Sequence, residues 1–213
     1  MKIIRHHLRN RIIISLLFLS FGFSQQEYND NDLIEMDSGL WTEKFNDEPI
    51  SGKVYGYFGD EKNPKKVYIG NVRNGKKEGK WVSYYHSTGK KRFEYNFKDG
   101  KQDGLSVEWN ENGQKNLELT FKVGKEDGRY TLWYDNGQKL SEHLFNDGIL
   151  DGLYTLWYDN GQKKQEGTYK DGKDDGLFTE WYDNGEKKVE GTFKDGKPNK
   201  LIGKWNEDGS VKK

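Results

Sequence analysis

The chain contains no cysteine, only three prolines and only four histidines among 213 residues. The first absence excludes disulfides, thiolate metal sites and a lipid-modified cysteine. Long hydrophobic runs are also scarce: 32% of the residues are hydrophobic against 33% charged, too few for a conventional globular core. That balance alone would indicate disorder, but disordered chains are poor in large apolar rings. Here 15% of the residues are aromatic, with seven Trp, and 26 are glycine. A folded but thin structure is expected.

The one apolar run stands at the start. Lys2, Arg5, Arg9 and Arg11 precede the stretch from Ile12 to Phe23, and Gly22 and Ser24 supply small residues for cleavage before Gln25. Twelve residues are short for a bilayer span, so residues 1–24 read as a secretory signal, with membrane association only if the signal stays uncleaved. The expected location is outside the cytoplasm: periplasmic, secreted or cell envelope. Removing the signal takes four of the 35 Lys and Arg and none of the 35 Asp and Glu, leaving a net charge of −4. Acidic and basic residues alternate along the rest of the chain, so no footprint for nucleic acid appears.

Self-similarity at a fixed period is the strongest signal. Trp109, Trp133, Trp157, Trp181 and Trp205 are 24 residues apart. The same interval links Gly89 through Gly209, Gly100 through Gly196, and the aromatics Phe97, Phe121, Phe145, Tyr169 and Phe193. Glycines 104, 128, 152 and 176 open successive units. Within the type unit, Leu153 to Tyr158 reads as a strand rich in residues that suit a pleated surface. Asn160-Gly161 is expected to form a two-residue hairpin turn, Lys163 to Lys170 the return strand, and Asp171-Gly172 the turn into the next unit. Alternation puts Leu153, Thr155 and Trp157 on one face and Tyr154, Leu156 and Tyr158 on the other.

A lone hairpin is marginal in water, so the hairpins are expected to stack. The predicted fold is all-β: an elongated, solenoid-like single-layer antiparallel sheet of stacked hairpins with a 24-residue period. Its parts are the signal at 1–24, a flexible leader at 25–38, degenerate repeats forming a cap at 39–78, five repeats over 79–199, and a half-repeat cap at 200–213.

Candidate chemistry is sparse, because an active site needs a localised constellation and nearly every candidate here is repeated. No catalytic, cofactor-binding or metal-ligating residues are assigned, and the chain is read as not an enzyme. His86 and His143 are expected at the surface. The acid-rich stretch Asp171 to Asp175 and its copies fit turn chemistry better than calcium, since Lys173 intrudes. Glu94, Glu118, Glu142, Glu166 and Glu190 form a ladder expected to be a solvated strand face flanked by lysine. The Trp column 109, 133, 157, 181 and 205 is expected to pack unit against unit. Tyr130, Tyr134, Tyr154, Tyr158, Phe178 and Tyr182 are candidate partner-binding rings, because a single layer leaves one side open to water.

The stretch Glu166-Gly167-Thr168-Tyr169-Lys170-Asp171-Gly172-Lys173-Asp174-Asp175-Gly176 resembles a MORN repeat, and it recurs from Glu190 to Gly196. Gly176-Leu177-Phe178 departs from the usual Gly-x-Gly, and Tyr95, Leu119 and His143 replace the early glycine. With Trp-Tyr-Asp-Asn-Gly at 133–137, 157–161 and 181–185, these departures resemble the bacterial MORN-repeat variant family over residues 46–213. The resemblance implies the stacked-hairpin fold and either a scaffold or an antitoxin. Three functions follow as expectations: a protein-interaction scaffold with an unidentified protein partner; an antitoxin or immunity protein that binds a toxin; or an envelope glycan binder using Tyr158 and Tyr182.

Overall fold

The computed structural model describes residues 26–212. The predicted signal and its cleavage point lie outside them. Apart from one 3-10 turn at Asp30–Asp32, the described chain is strands and turns. One sheet of 17 strands runs from end to end without closing, and every pairing in it except one is antiparallel. The exception is Glu27–Asn29, which lies parallel to residues 53–55 of the strand Gly52–Phe58.

The repeating unit is built as its residues dictate. Gly152–Trp157 pairs with Lys163–Lys170, which pairs onward with Gly176–Trp181. Thus each hairpin offers its return strand to the next, and no hairpin stands alone. Tyr154 sits opposite Gly167 and Leu153 opposite Thr168, which confirms the predicted alternation of faces.

The two turns differ from expectation. Asp171 and Gly172 both take positive φ (50° and 76°) between the paired residues Lys170 and Lys173. They form the two-residue turn whose twist matches the strands. At Asn160-Gly161 only the glycine does so (φ 85°), its N–H donating to the Tyr158 carbonyl while the Tyr158 N–H donates to the Gln162 carbonyl. This is a three-residue loop with a bulge, and the pairing shifts by one residue between Leu156 and Trp157. The Asn160 side chain explains the choice: its Oδ1 accepts from the Gln162 N–H, which stabilises the wider loop.

Gly152, taken above as the opening of a unit, lies inside the sheet. Asp151 interrupts the strand between Ile149–Leu150 and Gly152–Trp157, both paired with Lys139–Asn146, and Gly152 has φ 108°. Such a bulge requires a residue free to adopt that conformation. The Asp151 carboxylate accepts the N–H of Asp171 in the following turn; Asp103, Asp127 and Asp175 serve Val123, Asp147 and Asp195 in the same way. Part of the acidic column therefore satisfies backbone donors.

The buried core sits at one end. Tyr28, Leu33, Ile50, Val54, Phe58, Ile69, Val72 and Trp81 form one cluster. Tyr28 and Leu33 come from the expected flexible leader, so its described part is instead structural: their apolar side chains close the first strands of the sheet. Lys77 lies 4.8 Å from the Trp41 and Trp81 ring centroids and 5.0 Å from that of Phe97, where burial lowers its pKa.

Candidate interaction surface

The two faces of the array are built differently. On one, Tyr154 lies across the unoccupied side of Gly167, where a Cβ would come within 2.7 Å of the ring. It also packs on Tyr169 at 4.6 Å and stacks on His143 at 5.9 Å. Phe178 meets Phe193 at 5.3 Å, and Tyr130 meets both Phe145 and His143 at 5.9 Å. Four of these five ring contacts thus lie within a unit, between its first strand and its return strand, and His143 against Tyr154 is the one that crosses from a unit to the next. Burial holds the Tyr154 hydroxyl in its neutral form by raising its pKa, and Asp174 accepts its hydrogen bond at 3.2 Å.

The candidate partner-binding rings are therefore not a free stripe. Tyr154 is only 3% exposed, and Tyr130 and Phe178 are half-buried in the contacts just described. Tyr134, Tyr158 and Tyr182 are half-buried as well, because their hydroxyls donate to the carbonyls of Trp157, Trp181 and Trp205 in the next unit, at 2.8, 2.9 and 3.1 Å. Lys164 and Lys188 lie over the Tyr158 and Tyr182 rings, at 5.5 and 5.7 Å, so a sugar stacking there would have to displace a cation. His143 also departs from its expected surface position. It is held between Tyr130 and Tyr154, and its buried Nδ1 has no hydrogen-bond partner. His86 is exposed and packs on Phe58.

On the opposite face the Trp column supports cations. Lys91, Lys115, Lys139, Lys163 and Lys187 stand 5.1 to 5.8 Å from the rings of Trp109, Trp133, Trp157, Trp181 and Trp205. The same lysines bind Glu94, Glu118, Glu142, Glu166 and Glu190, three residues on. Each Lys thus joins a carboxylate to the ring of the next unit, a contact that an ion pair on its own would barely stabilise. The tryptophans themselves are half-buried under this layer, with no direct ring contact between successive members. Val107, Thr131, Thr155 and Thr179 are buried beside it.

Toward the Asp-Gly turns this face opens. Leu105, Leu153 and Leu177 are exposed, with Arg129 completing the 24-residue column. Thr120, Leu144, Thr168 and Thr192 stand opposite them on the partner strands. The sequence pointed to the rings because a single layer leaves one side open to water, and the open side is the other one. The signal that finds this row is the alternation itself, which sets Leu153 away from Tyr154, combined with the absence of a second layer to cover it.

Comparison with protein families agrees with this geometry. The model described as MORN repeat variant matches residues 126–147, 150–171 and 174–195. Each match starts within the strand that leads into a bulge and ends at the following Asp-Gly turn. A search of curated proteins found no match. Residues 126–195 of this chain thus match the MORN repeat variant as three consecutive repeats.

Proposed function

We propose that the protein is an exported, non-enzymatic scaffold that binds a protein partner outside the cytoplasm along the open face of its hairpin array. The observation that carries this is the row of exposed leucines, Leu105, Leu153 and Leu177, held at fixed spacing on a paired sheet. Exposed apolar side chains in a repeating line, with a charged layer beside them, are the anatomy of an interaction surface. MORN repeats are in general interaction repeats, which agrees with the proposal. The ladder carboxylates are committed to lysines, which favours a structural over a catalytic role for them. The basic and apolar run before Gln25 supports export.

The test is photo-crosslinking in the native host, with a crosslinking side chain placed at position 105 or 177, or at the turn residue Asn112 as the control. The expected result is a discrete adduct from both leucine positions, on a processed chain that begins at Gln25, and none from position 112. Adducts from no position, or equally from all three, would overturn the proposal.

A further inference from the structure

In an array of copies, a specific site is marked by the unit that departs from its siblings. Lysines flank the other turns between units as pairs: Lys98 with Lys101, Lys122 with Lys125, Lys170 with Lys173, and Lys194 with Lys197. At the turn Asp147-Gly148 the flanking pair is Asn146 and Ile149. Two residues earlier in the same strand, Leu144 stands where the other units have Thr120, Thr168 and Thr192. At the preceding turn, Val123 stands where the others have aspartate. Three of these four departures, Val123, Leu144 and Ile149, exchange a polar side chain for an apolar one.

Leu144 and Ile149 also converge in space. Residues 144 and 146 share a face, and Ile149, paired with Asn146, shares it too. Leu153 lies on the neighbouring strand, and the Leu144 Cδ1 fills the space beside Gly152. Leu144, Leu153, Thr168 and Leu177 occupy four consecutive strands, a span of about 14 Å at the usual strand separation. Within it Ile149 is 50% exposed, Leu153 52% and Leu177 53%.

The charges flanking this patch are predominantly basic on both sides, with Asp147 and Asp171 in the adjoining turns. Lys122, Lys125 and Arg129 precede it, and Lys170 and Lys173 follow. Most of the nearby acids are already engaged: Asp147 with Lys125, Glu142 with Lys139 and Arg129, and Asp127 and Asp151 with backbone N–H groups, which leaves Asp171, between Lys170 and Lys173, as an exposed acid with no ion pair among the described residues. Among the described residues, Lys122, Lys170 and Lys173 join no ion pair. A second copy of the chain laid on this face would set lysine against lysine. A segment with apolar side chains in the middle and carboxylates at both ends would not.

We infer that the patch of Leu144, Ile149, Leu153 and Leu177 is the docking site for an acidic amphipathic segment of the partner protein. This rests on the scaffold proposal and locates its specific contact. The leucines supply burial, and the flanking cations supply orientation and rejection of basic segments.

The test uses the full processed chain and a fluorescent, leucine-rich peptide with glutamates at both ends, alongside its lysine-ended counterpart. The variant Leu144→Thr with Ile149→Lys introduces only residues that sister units carry at the same places, so its fold is expected to survive, checked by circular dichroism. Anisotropy should show the glutamate-ended peptide binding the wild type, with affinity lower by about tenfold or more for the variant and for the lysine-ended peptide. Equal binding by variant and wild type, equal binding of the two peptides, or no binding would overturn the inference. A wild-type dimer that Ile149→Lys dissolves would do so as well, by putting a second copy on the patch. If peptide binding fails while crosslinks from positions 105 and 177 persist, the docking site is wrong and the scaffold proposal stands.

Discussion

At position 143 the array places a histidine where equivalent positions hold Gly167, Gly191, Leu119 and Tyr95. The neutral ring fills the gap between Tyr130 and Tyr154, and burial lowers its pKa below the ordinary 6.5. A histidine depressed in the folded state takes up its proton at higher pH when unfolded. Its contribution to stability is therefore complete above about pH 6.5 and is lost as pH falls through the folded value. Urea midpoints measured at about pH 7.5 and about pH 5 should fall more steeply with acid for the wild type than for His143→Leu, which carries the residue found at 119. Identical slopes would mean that the ring is solvated. Nothing in the local sequence announces this burial, because it depends on rings supplied by two neighbouring strands.

Among the hairpin elements, the turns carry the most conformational information. Asn74, Asp99, Asp147, Asp171 and Asp195 all adopt positive φ ahead of a glycine, as short polar residues do with little strain. Val123 adopts the same conformation (φ 52°) with a β-branched side chain and is 60% exposed, so no burial offsets its cost. Val123→Asp is expected to raise stability by about 1 kcal/mol, read as a higher urea midpoint at constant slope. A lower midpoint would show that the valine makes a contact worth more than its strain. The existence of both turns was legible from Asn-Gly and Asp-Gly, but their types were not. The wider loop at Asn160 depends on that side chain bonding the Gln162 N–H and, from its Nδ2, the Asp183 carbonyl of the next unit. The second bond appears only when two units are stacked.

The whole molecule is a capped row. Its apolar cluster lies within residues 28–81, and beyond that the units hold one another. Tyr134, Tyr158 and Tyr182 bond the following Trp carbonyl; Asn136, Asn160 and Asn184 bond the following loop; the glycine N–H of each Asp-Gly turn donates to the preceding strand. All of these join residues 22 or 23 apart, so each unit is coupled to its immediate neighbours. The 24-residue period made this architecture readable from the chain alone, since four columns in phase admit little else. The face that meets solvent was harder to read. The uncovered side of a single layer was expected to carry Tyr154 and Tyr158, whereas the chain spends those rings on Gly167 and on the Trp181 carbonyl and leaves Leu153 outside. The cap was obscured for a different reason: Tyr28 and Leu33 lie in an acidic stretch without the period, and only the pairings of Glu27–Asn29 with Gly52–Phe58 and of Leu33–Glu35 with Trp41–Glu43 show where they go.

Removing one complete unit, residues 152–175, tests the nearest-neighbour account most directly, because it joins Asp151 to Gly176 just as Asp175 precedes it in the intact chain. The shortened protein should keep a β-sheet circular dichroism spectrum and a cooperative urea transition, with a smaller slope in keeping with its smaller buried surface. Loss of the sheet spectrum, or a soluble product without a cooperative transition, would contradict the claim that each unit is held only by the units beside it.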